Sequence, residues 1–278
     1  MEKAGQVIKK CLKYLKNRNI ETADRDVPIL LSFVLGLSIA EIYSNFDILV
    51  TNYQLKRLEK LIARRGFCEP LAKIVGKKDF WNHSFHVDGT VLDPRPETEL
   101  LVDTVLRNIG TSQHVLDLGT GSGCIAISLA LELNEVMVAG CDISEEALLV
   151  ARRNANKNKA KVSFLLSDWF DQIYDKYDII VSNPPYISQE DFANLPPTVK
   201  NFDPKIALLG GKDGLYCYRV IARSLVSHLK DDGLAFFEIG LGQKNDVLKI
   251  FSENSLFPVD VKQDLNGIDR VVCVKKAA

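Results

Sequence analysis

The chain has 278 residues, enough for one or two domains with a full-sized core. Its 35 basic and 36 acidic residues leave a formal net charge of −1, which gives no general attraction to nucleic acid. No apolar run approaches the length of a membrane span and the amino terminus lacks a signal-peptide pattern, so a cytoplasmic protein without a membrane partner is expected.

The first part of the chain reads as helices. Val7, Ile8, Cys11, Leu12 and Leu15 share one helical face, and Leu30, Leu31, Val34 and Leu35 form a second. Ser38-x-x-Glu41 and Thr51-x-x-Gln54 are capping boxes that start helices. Leu55, Leu58, Leu61 and Ile62 follow at helical spacing, and Arg64-Arg65-Gly66 is a helix stop. Residues 1–72 are therefore expected to form a small helical bundle. It holds no glycine-rich loop or reactive constellation, so the residues leave two roles open: docking a partner, or only stabilising the rest. Residues 73–90 read as two short strands, a connecting β-hairpin. His83 and His86, three apart on a strand, face opposite sides and are not expected to be ligands.

From residue 91 onward strands alternate with helices, which predicts a mostly parallel sheet. Pro96-Glu97-Thr98-Glu99 reads as a helix start with proline at the first position and acids in the first turn. Arg95 and Glu97 are also candidates to line a pocket. Val115-Leu116-Asp117-Leu118 is a strand that runs into Gly119-Thr120-Gly121-Ser122-Gly123, and a buried helix follows from Cys124. A phosphate-binding P-loop needs Lys-Ser/Thr after the last glycine, and Cys124-Ile125 excludes it. A dinucleotide fingerprint wants Gly or Ala at position 124, so that match is imperfect. The Asp-x-Gly-x-Gly-x-Gly loop of S-adenosylmethionine enzymes fits without exception, beside a plain glycine-rich turn.

Asp142 ends the next apolar run, where an acidic residue accepts hydrogen bonds from ribose hydroxyls or caps the helix opening at Ser144-Glu145-Glu146. Asp168-Trp169 ends the third strand. There Asp168 is placed to bond an adenine amino group, and Trp169 either packs on the ring or belongs to the core. Tyr177–Val181 is a buried strand, and Asn183-Pro184-Pro185-Tyr186 stands at its carboxyl end, where open α/β sheets place ligands. Two prolines fix two φ angles and remove two donors, so the turn presents acceptors, suited to a substrate with an NH2 group. The bland alternative is an ordinary strand-to-loop turn. A long loop from Ile187 to about Gly211, a helix over 215–229, a strand over 234–239, a helix over 242–254 and a closing hairpin complete the chain. The six cysteines form no C-x-x-C pair, so neither zinc nor a disulfide framework is indicated, and no metal is expected.

Gly119–Gly123, Asp142, Asp168-Trp169 and Asn183–Tyr186 resemble, in order and spacing, the motifs of class I S-adenosylmethionine-dependent methyltransferases. The Asn-Pro-Pro-Tyr form belongs to those that methylate a planar nitrogen. With Glu69-Pro70-Leu71-Ala72, Gly76-Lys77-Lys78-Asp79-Phe80-Trp81 and Asp93-Pro94-Arg95-Pro96-Glu97-Thr98-Glu99-Leu100, nearly the whole chain resembles the HemK/PrmC family of protein-(glutamine-N5) methyltransferases. The resemblance implies an α/β, Rossmann-like methyltransferase domain over 91–278, with a mostly parallel seven-stranded sheet ending in an antiparallel hairpin, and a substrate-docking role for residues 1–72. It implies S-adenosylmethionine as cofactor, released as S-adenosylhomocysteine, on Asp117, Gly119, Thr120, Gly121, Ser122, Gly123, Asp142, Asp168, Trp169 and Asn183. It implies class 1 peptide-chain release factors as partners, methylated on the glutamine of their Gly-Gly-Gln loop. One position departs: Asp93 stands where an apolar residue usually precedes Pro-Arg-Pro-Glu-Thr.

An amide nitrogen is a poor nucleophile because its lone pair is delocalised into the carbonyl. Two acceptors on its hydrogens return electron density and orient it. The Asn183 side-chain oxygen and the Pro184 carbonyl are assigned this role, with Tyr186 packing on the amide. Pro185, Arg95 and Glu97 complete the expected substrate contacts. Positioning of this kind supplies ~7–11 kcal/mol in the best intramolecular models. Two other functions share some of these motifs. One is methylation of an exocyclic amine of adenine or cytosine, with the base flipped into the pocket. The other is a non-catalytic or dinucleotide-binding module, which Cys124 and the Asn-Pro-Pro-Tyr turn disfavour.

Overall fold

Apolar residues at helical spacing dictate the first part of the fold. The computed structural model describes residues 1–110, 113–133 and 135–277 and divides into two units. The first comprises Met1–Gly76 and Pro196–Phe202; the second comprises Lys77–Leu195 and the chain from Asp203 onward. In the first, β1 (Glu2–Lys3), α1 (Ala4–Lys16), α2 (Ala23–Leu35), α3 (Ile39–Ser44), β2 (Leu49–Val50), α4 (Asn52–Gly66) and α5 (Leu71–Val75) follow in order. Val7, Leu15, Leu30, Leu31, Leu58 and Ile62 from the expected stripes meet in one core. Both capping boxes are formed: the Ser38 and Thr51 hydroxyls accept from the amides of Glu41 and Gln54 at 3.2 and 3.3 Å. Gly66 does not end α4 through a left-handed turn. It is still helical, and a Cβ there would lie 2.8 Å from Arg18 Cδ and 2.9 Å from Tyr14 Cε1, so these side chains pack directly on its bare backbone.

The second unit opens with the hairpin β3 (Lys78–Phe80) and β4 (His83–Phe85). It continues through α6 (Thr98–Leu106), β5 (His114–Leu118), α7 (Cys124–Glu132), β6 (Met137–Asp142), α8 (Glu145–Asn158), β7 (Val162–Leu166) and β8 (Tyr177–Ser182). The stretch expected as a long loop instead carries α9 (Gln189–Ala193), α10 (Pro197–Lys200, in the first unit) and a 3-10 turn over Lys205–Ala207. These single turns have no fully buried residue, so they leave no apolar stripe to read; the Ser188 cap and Pro197 start them. Then come α11 (Tyr216–His228), β9 (Leu229–Glu238), α12 (Lys244–Ser252), β10 (Leu256–Gln263) and β11 (Asp269–Lys276).

Seven strands form one sheet in the order β10-β11-β9-β8-β5-β6-β7. The pairs from β9 to β7 are parallel, and β11 pairs antiparallel with both β9 and β10. Alternate residues face opposite sides. Leu116, Ile180 and Phe237 pack in a core with Ile221 and Leu225 of α11 and Phe251 of α12. Val115, Val181 and Phe236 pack in another with Leu101 and Val105 of α6 and Ile125 and Leu129 of α7. The sheet is thus covered on both faces, as parallel strands require. The strand order reverses between β5 and β8, because the chain goes from β5 out to β7 and returns on the other side. Leu118 is paired with Ser182, so the turns after these two strands emerge side by side at a topological switch point.

Candidate active site

The glycine-rich turn is held from below by a buried acid. Asp117 is fully buried at the end region of β5, and its Oδ2 accepts from Thr120 Oγ1 at 2.7 Å and from the Ala126 amide at 3.2 Å. Burial pushes its carboxyl up to about 7, against these two bonds. The amides of Gly119 and Thr120 both donate to the Cys141 carbonyl at 2.9 Å, which fastens the turn to β6. Gly119, Gly121 and Gly123 all have positive φ, at 71°, 54° and 79°. A Cβ at Gly123 would meet Ile127 Cδ1 at 2.9 Å and Ala151 Cβ at 3.2 Å, so this glycine serves helix packing. A Cβ at Gly121 would meet nothing within 4 Å and would project into open space.

Gly121 also lines a cavity of about 300 Å³. Gly119, Gly121, Asp142, Asp168, Trp169, Asn183 and Pro185 line it, so the structure brings seven of the expected site residues to one wall system. Asp117, Thr120, Ser122 and Gly123 are not among the lining residues and brace the turn behind it. Asp142 accepts from the Gly121 amide at 2.8 Å and the Ser144 amide at 2.9 Å, and burial raises its carboxyl above the usual range. Trp169 has φ 48°, with its carbonyl held by Ser167 Oγ at 2.9 Å. A bulky residue in the left-handed region is a strained position of the kind that clusters at functional sites.

Arg95 and Glu97 lie outside the cavity lining. Arg95 instead pairs with buried Asp203 at 2.6 Å, which anchors the start of the segment that supplies Pro204, Ile206 and Ala207 to the cavity. Glu97 is exposed and already helical, with φ −61° and ψ −31°, as N-cap of α6. The helix therefore starts two residues later than Pro96 suggests, because i to i−3 bonds from Thr98 and Glu99 form a turn ahead of it. Asp93 is buried, and the cavity wall nearby is Thr90, Val91 and Leu92.

Three residues that sequence reasoning missed hold the Asn-Pro-Pro-Tyr turn. Asn183 Nδ2 donates to Thr98 Oγ1 at 3.1 Å, and Thr98 Oγ1 donates to Glu238 Oε2 at 2.7 Å. Tyr186 donates its hydroxyl to Glu238 Oε1 at 3.4 Å. Gln243 Nε2 donates to the Tyr186 carbonyl at 2.9 Å. Burial, beside Glu238, holds the Tyr186 phenol well above its ordinary value, so it stays a donor. Glu238 was detectable: like Asp142, it is an acid that ends an apolar strand. Gly210 lies in the stretch expected as a long loop. A Cβ there would lie 2.5 Å from the Pro185 carbonyl oxygen and 2.9 Å from Tyr186 Cα, so its bare backbone supports the turn.

The cavity chemistry is specific. Two carboxylates suit hydroxyls or an amino group, while Trp169, Ile143, Ala147 and Val220 suit a planar or apolar body. Gly121, a lining residue with nothing within 4 Å of an added Cβ, allows close approach of a ligand to the backbone. These residues fit S-adenosylmethionine. Among the described residues, no group of three or more His, Cys, Asp or Glu is placed to hold a metal ion, and no helix is long and apolar enough to cross a membrane.

Comparisons with known proteins agree with this arrangement. Residues 6–76 match the PrmC N-terminal domain, and residues 91–196 match the methyltransferase small domain. The chain is 40% identical over 260 residues to the release factor glutamine methyltransferase of Geobacter sulfurreducens, covering 93% of this chain and 92% of that one. It is 38% identical over 277 residues to that of Rhodospirillum rubrum, covering 99% and 85%. Solved structures of similar fold include a ribosomal protein L11 methylase from Lactobacillus delbrueckii subsp. bulgaricus, with a TM-score of 0.51, 22% identity, and coverage of 66% of this chain and 81% of that one. Another is the T. thermophilus 16S rRNA N2 G1207 methyltransferase in complex with AdoMet and guanosine, with a TM-score of 0.51, 18% identity and coverage of 72% and 50%. With a switch-point cavity of this chemistry and relatives this similar along nearly all of both chains, the chain belongs to the release factor glutamine methyltransferase family of S-adenosylmethionine-dependent enzymes.

Proposed function

We propose that this chain methylates the side-chain amide nitrogen of the glutamine in the Gly-Gly-Gln motif of class 1 peptide-chain release factors, acting in the cytoplasm in support of translation termination. The observation that carries this reading is that Asn183 and Pro185 line the same cavity as Gly119, Gly121, Asp142 and Trp169. An acceptor for an NH2 group therefore stands beside a pocket that fits the cofactor.

S-adenosylmethionine supplies an electrophilic methyl group on a sulfonium. Asp142 would hold the ribose hydroxyls, and Asp168 and Trp169 would hold the adenine. Asn183 Oδ1 and the Pro184 carbonyl would accept the two hydrogens of the substrate amide and so fix the direction of its lone pair. Tyr186 packs on the planar amide and keeps water out. The nitrogen would become acidic once alkylated, so it would pass its proton to bulk water as the product leaves, without a strong base on the protein. Orientation by fixed acceptors is the main contribution asked of the protein.

In this reading the helices that end with α5 at Val75 form a substrate-docking domain, rather than stopping at residue 72, the β3–β4 hairpin is the linker and residues 91–278 are the transferase. A net charge of −1 suits a protein partner better than a polyanion. Incubation with radiolabelled methyl donor and, separately, a release factor, DNA and RNA tests the proposal. Label on the glutamine of the release factor is the expected result; label on a base, with none on the factor, overturns it. A chain beginning at Lys77 that retained full activity on the intact factor would remove the docking role.

A further inference from the structure

Glu238 is 1% exposed at the end of β9 and is not among the cavity-lining residues. It nevertheless touches Tyr186 of the Asn-Pro-Pro-Tyr turn directly and reaches Asn183 through Thr98. Its Oε1 accepts from the Tyr186 hydroxyl, and its Oε2 accepts from Thr98. Thr98, 2% exposed, has a single hydroxyl proton. With that proton given to Glu238, only a lone pair remains to face Asn183. The carboxamide must then present its NH2 to Thr98, which leaves its oxygen for the cavity.

We propose that Glu238, acting through Thr98, is a positioning residue that sets the polarity of the Asn183 carboxamide, so that the site selects an NH2 donor over an acceptor such as a carboxylate. This rests on the reading of Asn183 as the acceptor for the substrate amide. A glutamine at position 238 would have one oxygen for two hydroxyl donors and would face the other with NH2. A carboxylate serves both, which gives a reason for an acid in a buried place where ionisation is costly.

The groups around Glu238 make the relay responsive to pH. Thr98 stands on α6, Glu97 just before it, Arg270 on β11, Tyr186 on the turn, Tyr218 on α11 and Cys124 at the start of α7. Arg270 and the hydroxyls of Thr98 and Tyr186 favour the carboxylate; burial, the largest effect, and Glu97 disfavour it, and the carboxyl is pushed up to about 7. When Glu238 is protonated it becomes a donor to Thr98. Thr98 can then donate to Asn183, and the carboxamide reverses.

The test uses the full chain, saturating S-adenosylmethionine and a release factor in single turnover. Thr98→Val is expected to lower the rate ~10²-fold with cofactor affinity unchanged, since an oriented polar group is lost. Thr98→Ser, which keeps the hydroxyl, is expected to recover most of the rate. Glu238→Gln is expected to lower the rate and to remove its rise with pH through about 7. The Asn183 side-chain amide resonance, identified by its loss in Asn183→Ala, reports the relay without substrate. It is expected to shift through the same pH range in the wild type and not in Glu238→Gln. A Thr98→Val rate near wild type, a Thr98→Ser rate as low as that of Thr98→Val, or a pH-insensitive Asn183 resonance in the wild type would each overturn the proposal. Failure of the wild type to methylate the release factor would count against the proposed function instead, because the resonance reads the relay independently. The resonance also decides the matter should Thr98→Val not fold.

Discussion

Gly121 donates its backbone N–H to Asp142 Oδ2 at 2.8 Å, which ties the glycine-rich turn after β5 to the end of β6. The other oxygen of Asp142 accepts from Ser144, so the carboxylate also starts α8. One side chain thereby aligns two elements that line the cavity, and each oxygen keeps a further acceptor site.

Asp142→Ala is expected to weaken S-adenosylmethionine binding by ~1.5–3 kcal/mol, the usual worth of hydrogen bonds to a charged group. The fold should persist, because β5, β6 and α8 are held by buried apolar residues as well. Calorimetric titration of the folded variant measures the loss. An affinity equal to that of the wild type would remove Asp142 from the cofactor site.

Asn183→Ala should keep most of the cofactor affinity and lose ~10²–10³ in single-turnover methyl transfer. The acceptor matters most when the amide nitrogen reacts, so its loss appears in turnover rather than in ground-state binding. Transfer at near wild-type rate would reduce the Asn-Pro-Pro-Tyr turn to a structural feature.

Gly210→Ala probes the support of that turn. The added Cβ would meet the Pro185 carbonyl oxygen at 2.5 Å, the Gly214 oxygen at 2.7 Å and Tyr186 Cα at 2.9 Å. All three are backbone atoms, so the turn must move. Overpacking of this kind costs ~1–3 kcal/mol of stability. Urea unfolding should show the loss, and the transfer rate should fall with it. A variant as stable and as active as the wild type would mean that the turn has slack the structure does not show.

Glu238 gives a stability prediction with a definite sign. Burial raises its carboxyl from the ordinary 4.5 to about 7. Between these values the folded state holds a proton that the unfolded state has released, so stability falls as pH rises through the window and levels off above it. Relative to Glu238→Gln, the wild type should lose stability between about pH 5 and about pH 8, by about 3 kcal/mol at most. Asp117, also pushed up to about 7, is common to both proteins and cancels. Parallel urea titrations at the two pH values measure the difference; a wild type that gained stability relative to the variant would place the ionised form of Glu238 in a favourable environment.

Local patterns were legible where the physics is local. The stripes of α1, α2 and α4 could be read because each helix buries one face within its own unit. The caps at Ser38 and Thr51 were legible because both partners lie within one turn of chain. Asp142, Trp169 and Asn183 could be placed at strand ends, where a parallel sheet collects its ligands. The pairing of Arg95 with Asp203 was not legible, because the partner lies far away in sequence where no spacing reveals it.

The sequence by itself determined the alternation of strands and helices, the positive-φ turn of Gly119–Gly123 and the stiff turn at Asn183–Tyr186, because period, glycine and proline act on neighbouring residues. Only the tertiary structure decided that these two turns share one cavity, since that follows from the strand order and from the pairing of Leu118 with Ser182. It also decided which way the Asn183 carboxamide points. The sequence names an amide with a donor at one end and an acceptor at the other. Its direction is set by Thr98 and Glu238, which come from two other elements and meet it in a buried place where a hydroxyl has only one proton to give.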